Sequence, residues 1–98
     1  MDRPQLSEAL RNREVVLRAF VGADGRLASI PTKLIKRLVV LDFLAQDFEP
    51  GTHYREAEVN AILARRHDDH AALRRYLVDE GFMDRRDGTY WRTDAVAD

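Results

Sequence analysis

Arginine pairs carry the most specific chemistry in this sequence of 98 residues. Arg74 and Arg75 fall in a run with helical periodicity, and Arg85 and Arg86 follow shortly afterwards. Arginine presents a planar fork of donors that suits bidentate contacts with phosphate groups and with guanine edges. With Ala71 on the same helix face and His70 at its flank, the candidate DNA contacts are His70, Ala71, Arg74, Arg75, Arg85 and Arg86.

A solvated, ion-paired surface is the competing interpretation of these arginines. Arg74 and Arg75 have carboxylates nearby in sequence, and those beyond the pair would repel phosphate. This leaves only the N-terminal part of the helix able to enter a DNA groove. Two further carboxylates dilute the second arginine pair, so both interpretations stay open. The carboxylates concerned are Asp69, Asp79, Glu80, Asp84 and Asp87.

The overall charge gives DNA binding no general support. Sixteen basic residues meet seventeen acidic ones, for a net charge of −1, whereas nucleic-acid-binding domains are usually basic. A positive surface for DNA must therefore come from the grouping of basic side chains on one side of the molecule. A single copy should bind weakly, so we expect a homodimer that occupies two half-sites of double-stranded DNA.

The histidines near the middle of the chain raise the question of a metal site. His67, Asp68, Asp69 and His70 are consecutive, and His53 is a third histidine. Zinc needs three or four ligands that converge in a tetrahedron. The two aspartates have a sufficient role as caps of the next helix, so we expect no metal and no cofactor.

Residue types for catalysis are scarce, and we expect no enzyme. The chain has no cysteine, neither serine has a nearby base, and no glycine-rich loop suited to phosphate occurs. Glu56, Glu58 and Asn60 suggest an acid–base cluster, but we expect their helical positions to point them in different directions.

The elements that would position the arginines form a helix-turn-helix followed by a wing. We predict a helix at about residues 55–66, a recognition helix at about 69–80 that ends at Gly81, and a hairpin wing at 82–93. Its turn is expected at Asp87-Gly88, a dipeptide typical of tight hairpins.

Three elements are predicted before this unit. The first is a helix at 7–21, with a rival reading as a strand at 15–21 paired with residues 26–30. The second is a short edge strand at 27–30, which ends at Pro31 and should pair with the wing. The third is a helix at 33–48 whose apolar face is wider than usual. That helix is expected either between the N-terminal helix and the helix-turn-helix, or in a dimer interface.

We therefore expect one domain over residues 1–98, mainly α with a small β-hairpin: a winged helix-turn-helix preceded by an N-terminal helix. The longest apolar run, at 38–41, is too short to span a bilayer, and the start of the chain does not resemble a signal peptide. We expect no membrane partner and a cytoplasmic protein. The leading function is a DNA-binding transcriptional regulator or accessory domain. The alternative is a protein-interaction module on the same fold.

Four segments together resemble a small bacterial domain family of unknown function. The resemblance implies a winged-helix-like fold and occurrence alone or fused behind ArsR-type winged-helix repressors. It implies no agreed site residues. The segments are DGRLASIP (24–31), KLIKRLVVLDFLAQDF (33–48), YREAEVNAIL (54–63) and LRRYLVDEGFMDRRDGTYW (73–91).

Overall fold

The computed structural model describes residues 4–94 and residue 96. Within them lie five helices and one three-stranded antiparallel sheet. None of the helices in this part of the chain has both the length and the apolar character needed to cross a membrane. The helices are α1 (Pro4–Leu10), α2 (Arg13–Phe20), α3 (Leu34–Ala45), α4 (Glu56–Ala64) and α5 (His70–Asp79), and the strands are β1 (His53–Arg55), β2 (Met83–Arg86) and β3 (Thr89–Arg92).

Helix α3 forms the centre of the core. Most of its residues from Leu38 to Ala45 are buried, including the carboxylate residue Asp42. The helix packs against α1, α2 and α5, so it needs apolar side chains on more than one face. Of the two expected positions for the wide apolar helix, the structure thus has the one between the N-terminal helices and the C-terminal half of the chain, where it packs on α5.

The N-terminal helical region consists of two helices, not the single helix expected at 7–21. The amide of Arg11 donates to the carbonyl of Glu8 (3.3 Å) and that of Asn12 to the carbonyl of Ala9 (3.2 Å). These bonds reach back three residues instead of four, which tightens the last turn and ends α1. The rival strand at 15–21 is also wrong, because α2 occupies residues 13–20.

The expected edge strand at 27–30 is not formed. Among the described residues this segment contributes one isolated bridge, between Val21 and Leu27. The amide of Leu27 instead donates to the carbonyl of Arg66, at 2.7 Å. The amide of Leu27 is therefore bonded just beyond the end of α4 and is not available to a strand of the sheet. The segment holds this end of α4 in place.

The strand that pairs with the hairpin is β1, which lies between α3 and α4. The hydroxyl of Tyr54 accepts a hydrogen bond from the amide of Glu49 (2.8 Å), and its ring meets that of Phe48 edge-on at 5.1 Å. These contacts hold the strand against the end of α3. The register of β1 with β3 is His53 with Trp91, Tyr54 with Tyr90 and Arg55 with Thr89.

The hairpin of β2 and β3 places β3 in the middle of the sheet, in the order β1-β3-β2. Asp87 and Gly88 both have positive φ, at 53° and 78°, as a tight two-residue hairpin turn requires. The carbonyl of Gly88 accepts a hydrogen bond from the amide of Glu56 at 3.2 Å. The turn is thereby linked to the first residue of α4.

Candidate nucleic-acid interface

Helix α5 begins at a capping aspartate and buries one narrow face. Asp69 accepts a hydrogen bond from the amide of Ala72 at 3.2 Å, which satisfies one of the free donors of the first turn. Leu73 and Leu77, one turn apart, are fully buried. The residues on the opposite side of the helix are consequently turned outward.

The end of α5 directs the chain into the hairpin. The amide of Gly81 donates to the carbonyl of Val78 (3.0 Å), and the amide of Phe82 donates to that of Leu77 (2.9 Å). Gly81 has φ of 78°, so the helix closes with a Schellman motif. Phe82 is buried, and β2 begins at the next residue. The hairpin therefore starts directly beside α5.

This outward face and the hairpin enclose an open cleft with a volume of about 230 Å³. Helix α5 forms one wall and the hairpin supplies the rest. Four of the six residues predicted as DNA contacts are brought together here, with three new neighbours. The lining residues are Ala71, Arg74, Arg75, Val78, Asp79, Arg85 and Tyr90.

The other two predicted contacts, His70 and Arg86, do not line this cleft. Arg86 is exposed on β2 and lies 4.0 Å from the carboxylate of Asp87. The Nδ1 atom of His70 is buried and reaches no hydrogen-bond partner among residues 4–94 and 96. The positive charge of the cleft therefore comes from three of the predicted arginines, Arg74, Arg75 and Arg85.

From its helical position alone, Arg74 was expected to point outward into solvent. In the structure its side chain is instead held against α4. Its Nη1 donates a short hydrogen bond to Oδ1 of Asn60, and its Nε lies 3.8 Å from Oε1 of Glu56. Only 23% of its side chain is exposed. The expectation that Glu56 and Asn60 point apart is wrong, because residues one helical turn apart share a face. That face of α4 meets α5 and holds the guanidinium of Arg74.

Tyr90 connects the hairpin arginine to α4. Its ring is buried, and its hydroxyl donates to Oε1 of Glu56 at 2.7 Å. The same hydroxyl accepts a hydrogen bond from Nη1 of Arg85 at 3.4 Å. The contact with Tyr90 raises the pKa of Arg85 above its usual value, with a smaller contribution from Glu56. Tyr90, Glu56 and Asn60 were not predicted site residues, although the spacing of the last two was a usable signal.

Arg75 is the exposed cation of α5. Within the described part of the chain it makes no ion pair shorter than 4.0 Å. The competing interpretation, in which the two helix arginines pair with Asp69, Asp79 or Glu80, finds no such ion pair among the described residues. Asp79 nevertheless lines the cleft, so three cations share it with one carboxylate.

The histidine-rich segment before α5 serves the chain's own structure. Nδ1 of His67 accepts a hydrogen bond from the amide of Asp69 at 3.0 Å, and Asp68 pairs with Arg26 at 2.9 Å. His53 lies on β1, where it stacks on the indole ring of β3 with ring centres 5.0 Å apart. Among the residues that the structure describes, no three histidine or carboxylate side chains are grouped to hold a metal ion.

Comparison with known proteins identifies one family. The model of the family DUF2087, described as an uncharacterized protein conserved in bacteria, matches residues 26–92. The matched segment includes α3, α4, α5 and the whole sheet. No curated protein and no solved structure matches the chain.

Proposed function

We propose that this chain, which belongs to the bacterial family DUF2087, is a DNA-binding transcriptional regulator or an accessory domain of one. In this proposal α4 and α5 form a helix-turn-helix with α5 as the recognition helix. The hairpin of β2 and β3 is the wing, which makes the domain a winged helix. Its resemblance to domains fused behind ArsR-type repressors supports a regulatory role.

The observation that carries the proposal is the convergence of Arg74, Arg75 and Arg85 on one side of the molecule. They come from two separate elements, the outward face of α5 and the hairpin. In a near-neutral protein such a local excess of arginine supplies the positive potential that the overall charge does not. Arginine is also the side chain best suited to phosphate and guanine.

In this proposal each cation has a different role. Arg75, which is exposed on α5, contacts a base edge or a phosphate in the major groove. Arg85 extends from the hairpin and is suited to the sugar–phosphate backbone, where contacts position a protein without reading sequence. Arg74 is bonded to Asn60 of α4. It adds positive charge to the cleft without contacting DNA directly.

Affinity for duplex DNA should be modest for one copy, and we propose a homodimer. The net charge is −1, and Asp79 shares the cleft with the arginines. Two copies would double the number of phosphate contacts and occupy two half-sites. The N-terminal helices are proposed as the interface, because Val15 on α2 is 65% exposed.

The alternative is a protein-interaction module on the same fold. Asp79 in the cleft and the Arg86–Asp87 pair on the hairpin favour it, since both reduce attraction for phosphate. An acidic partner segment would then occupy the arginine cleft. Neither proposal involves catalysis or a cofactor.

Fluorescence anisotropy with a labelled duplex across a salt series tests the DNA proposal. We expect binding at low ionic strength with a log–log salt slope of about −2 or steeper, at about −0.9 for each neutralised phosphate. Arg75→Ala should weaken binding. Lys36→Ala is the control that should leave it unchanged, because Lys36 is an exposed cation on α3 that lines neither the cleft nor the proposed dimer interface. Absence of salt-dependent binding to any duplex would exclude DNA and leave the interaction module.

A further inference from the structure

We propose that the cleft between α5 and the hairpin is a subsite for a single phosphate group, which Arg75 and Arg85 grip from its two walls. This deepens the proposed function and rests on it for one source of the phosphate, the backbone of duplex DNA. A free phosphate or a small phosphorylated molecule carries the same chemistry and is the other source.

The size of the cleft limits its ligand. Its volume is about 230 Å³, below the range of about 300 to 1,000 Å³ that is typical of sites for drug-sized molecules. The cleft can therefore enclose only a small part of a ligand, while the rest extends from its open side. One phosphate group with a short attached segment suits this volume.

The charge of the lining selects an anion. Three of the seven lining residues are arginines and one is an aspartate, Asp79. Asp79 lies one turn after Arg75, toward the C-terminal end of α5. An anion between Arg75 and Arg85 should therefore lie on the side of the cleft away from Asp79, toward Ala71. Ala71 and Val78 supply the apolar part of the lining.

Two of the three arginines, Arg74 and Arg85, are partly oriented before any ligand arrives. Asn60 and Glu56 hold the guanidinium of Arg74, and the hydroxyl of Tyr90 holds that of Arg85 at 3.4 Å. Fewer side-chain rotations are lost on binding when donors are already in place. Glu56 and Tyr90 are thus positioning residues for the subsite, and they need not touch the phosphate.

Glu56 also competes with the ligand. Its carboxylate lies 3.8 Å from Arg74 and accepts a hydrogen bond from the Tyr90 hydroxyl. Gln at this position retains an oxygen that accepts from Tyr90 but has no negative charge. Glu56→Gln should therefore strengthen phosphate binding, whereas a purely structural role for Glu56 would predict weaker binding or no change.

The test is an NMR titration of the full chain with inorganic phosphate at constant ionic strength, with chloride as the balancing anion. We expect saturable shifts confined to the side-chain signals of Arg75 and Arg85 and to amides of α5 and the hairpin. Arg75→Ala and Arg85→Ala should each weaken binding about tenfold, as for the loss of one charge-assisted contact. Lys36→Ala, which removes an exposed cation of α3 outside the cleft, should bind phosphate like the wild-type protein.

The outcomes separate the subsite from the DNA function. Competition between phosphate and duplex, with both weakened in Arg75→Ala, supports the subsite with the DNA backbone as its source. Phosphate binding in the cleft without duplex binding supports the subsite with a free phosphate as source and overturns the DNA function. Absent or scattered phosphate shifts overturn the subsite even if duplex binding persists. Weaker or unchanged phosphate binding in Glu56→Gln overturns the competition between the charge of Glu56 and the ligand.

Discussion

The hydroxyl of Tyr90 lies 2.7 Å from Oε1 of Glu56, across 34 positions of sequence. This bond joins the central strand of the sheet to the first turn of α4, directly behind the arginine cleft. Because Glu56 also approaches Arg74 and Tyr90 also contacts Arg85, one carboxylate and one phenol connect α4 and α5 to the hairpin. The pair thereby links Arg74 on α5 with Arg85 on β2.

Replacing Tyr90 with Phe should remove this connection while it preserves the buried ring. The loss of a hydrogen bond to a carboxylate should lower the free energy of unfolding by about 1.5 to 3 kcal/mol, and by an amount near the lower limit here because the side chain of Glu56 is half exposed. Urea denaturation followed by circular dichroism measures the change. Tyr54→Phe removes a hydroxyl on the neighbouring strand and is the matched control. DNA binding that falls in Tyr90→Phe and not in Tyr54→Phe would show that the Glu56 contact positions Arg85; equal effects would contradict it.

Gly88→Val should destabilise the hairpin through the backbone alone. Gly88 has φ of 78°, and a Cβ placed there would meet no atom within 4 Å. The left-handed conformation costs a residue other than glycine about 1 to 2 kcal/mol, and β-branching adds to that cost. Gly88→Asn is the control, because Asn tolerates this region better. Equal melting temperatures for Gly88→Val and wild type would show that the turn does not require positive φ.

Arg85→Ala should weaken duplex binding to a similar extent for every DNA sequence. A backbone contact carries no sequence information, and the loss of one phosphate contact should lower the salt slope by about one unit. Anisotropy titrations with two unrelated duplexes at several salt concentrations provide the measurement. Arg75 is a cleaner test of the recognition helix than Arg74, because removing Arg74 also leaves Asn60 without its bond. A sequence-dependent effect of Arg85→Ala would instead assign it to base recognition.

Glu58 should make a contribution to the free energy of unfolding that depends on pH. Its Oε1 accepts hydrogen bonds from the backbone amide of Arg55 (2.9 Å) and from its Nε (3.4 Å). The backbone bond, followed by that from the side chain, lowers the pKa of Glu58 below the ordinary value of about 4.5. Since the pKa is depressed in the folded state, the stabilisation is present above the unfolded-state value. It is lost as the pH falls through the folded-state value.

Comparison of wild-type protein with Glu58→Gln by urea denaturation, from neutral pH to a pH of about 3, tests this expectation. The difference in stability should be constant near neutrality and should shrink in acid. A difference that grows on acidification would reverse the sign and refute the assignment.

Val15→Asp should convert the proposed dimer into monomers. Val15 is 65% exposed on α2, and a charge at an apolar interface removes hydrophobic burial and adds a desolvation cost. Multi-angle light scattering at micromolar concentrations distinguishes the two states, and Glu14→Gln on the same helix is the control. A monomeric wild-type protein at high concentration would contradict the dimer.

The sequence by itself determined most of the helices and the hairpin. Leu73 and Leu77 fall one turn apart, and Asp69 and Gly81 mark the two ends of α5. These signals lie within a few residues of each other, so local physical chemistry suffices to read them. The arginines of α5 were placed correctly beside the hairpin for the same reason, because the hairpin follows the helix directly.

Only the tertiary structure decided which strand completes the sheet and where Arg74 points. Strand pairing depends on contacts between distant segments, and β1 and the expected strand at 27–30 are both short. The backbone of Leu27 is bonded at the end of α4, near Arg66, which itself forms a bidentate pair with Asp47. Arg74 likewise has a local choice of carboxylates, but the packing of α4 on α5 brings Asn60 closer than any of them. Such choices are made by packing between elements, which periodicity along the chain does not encode.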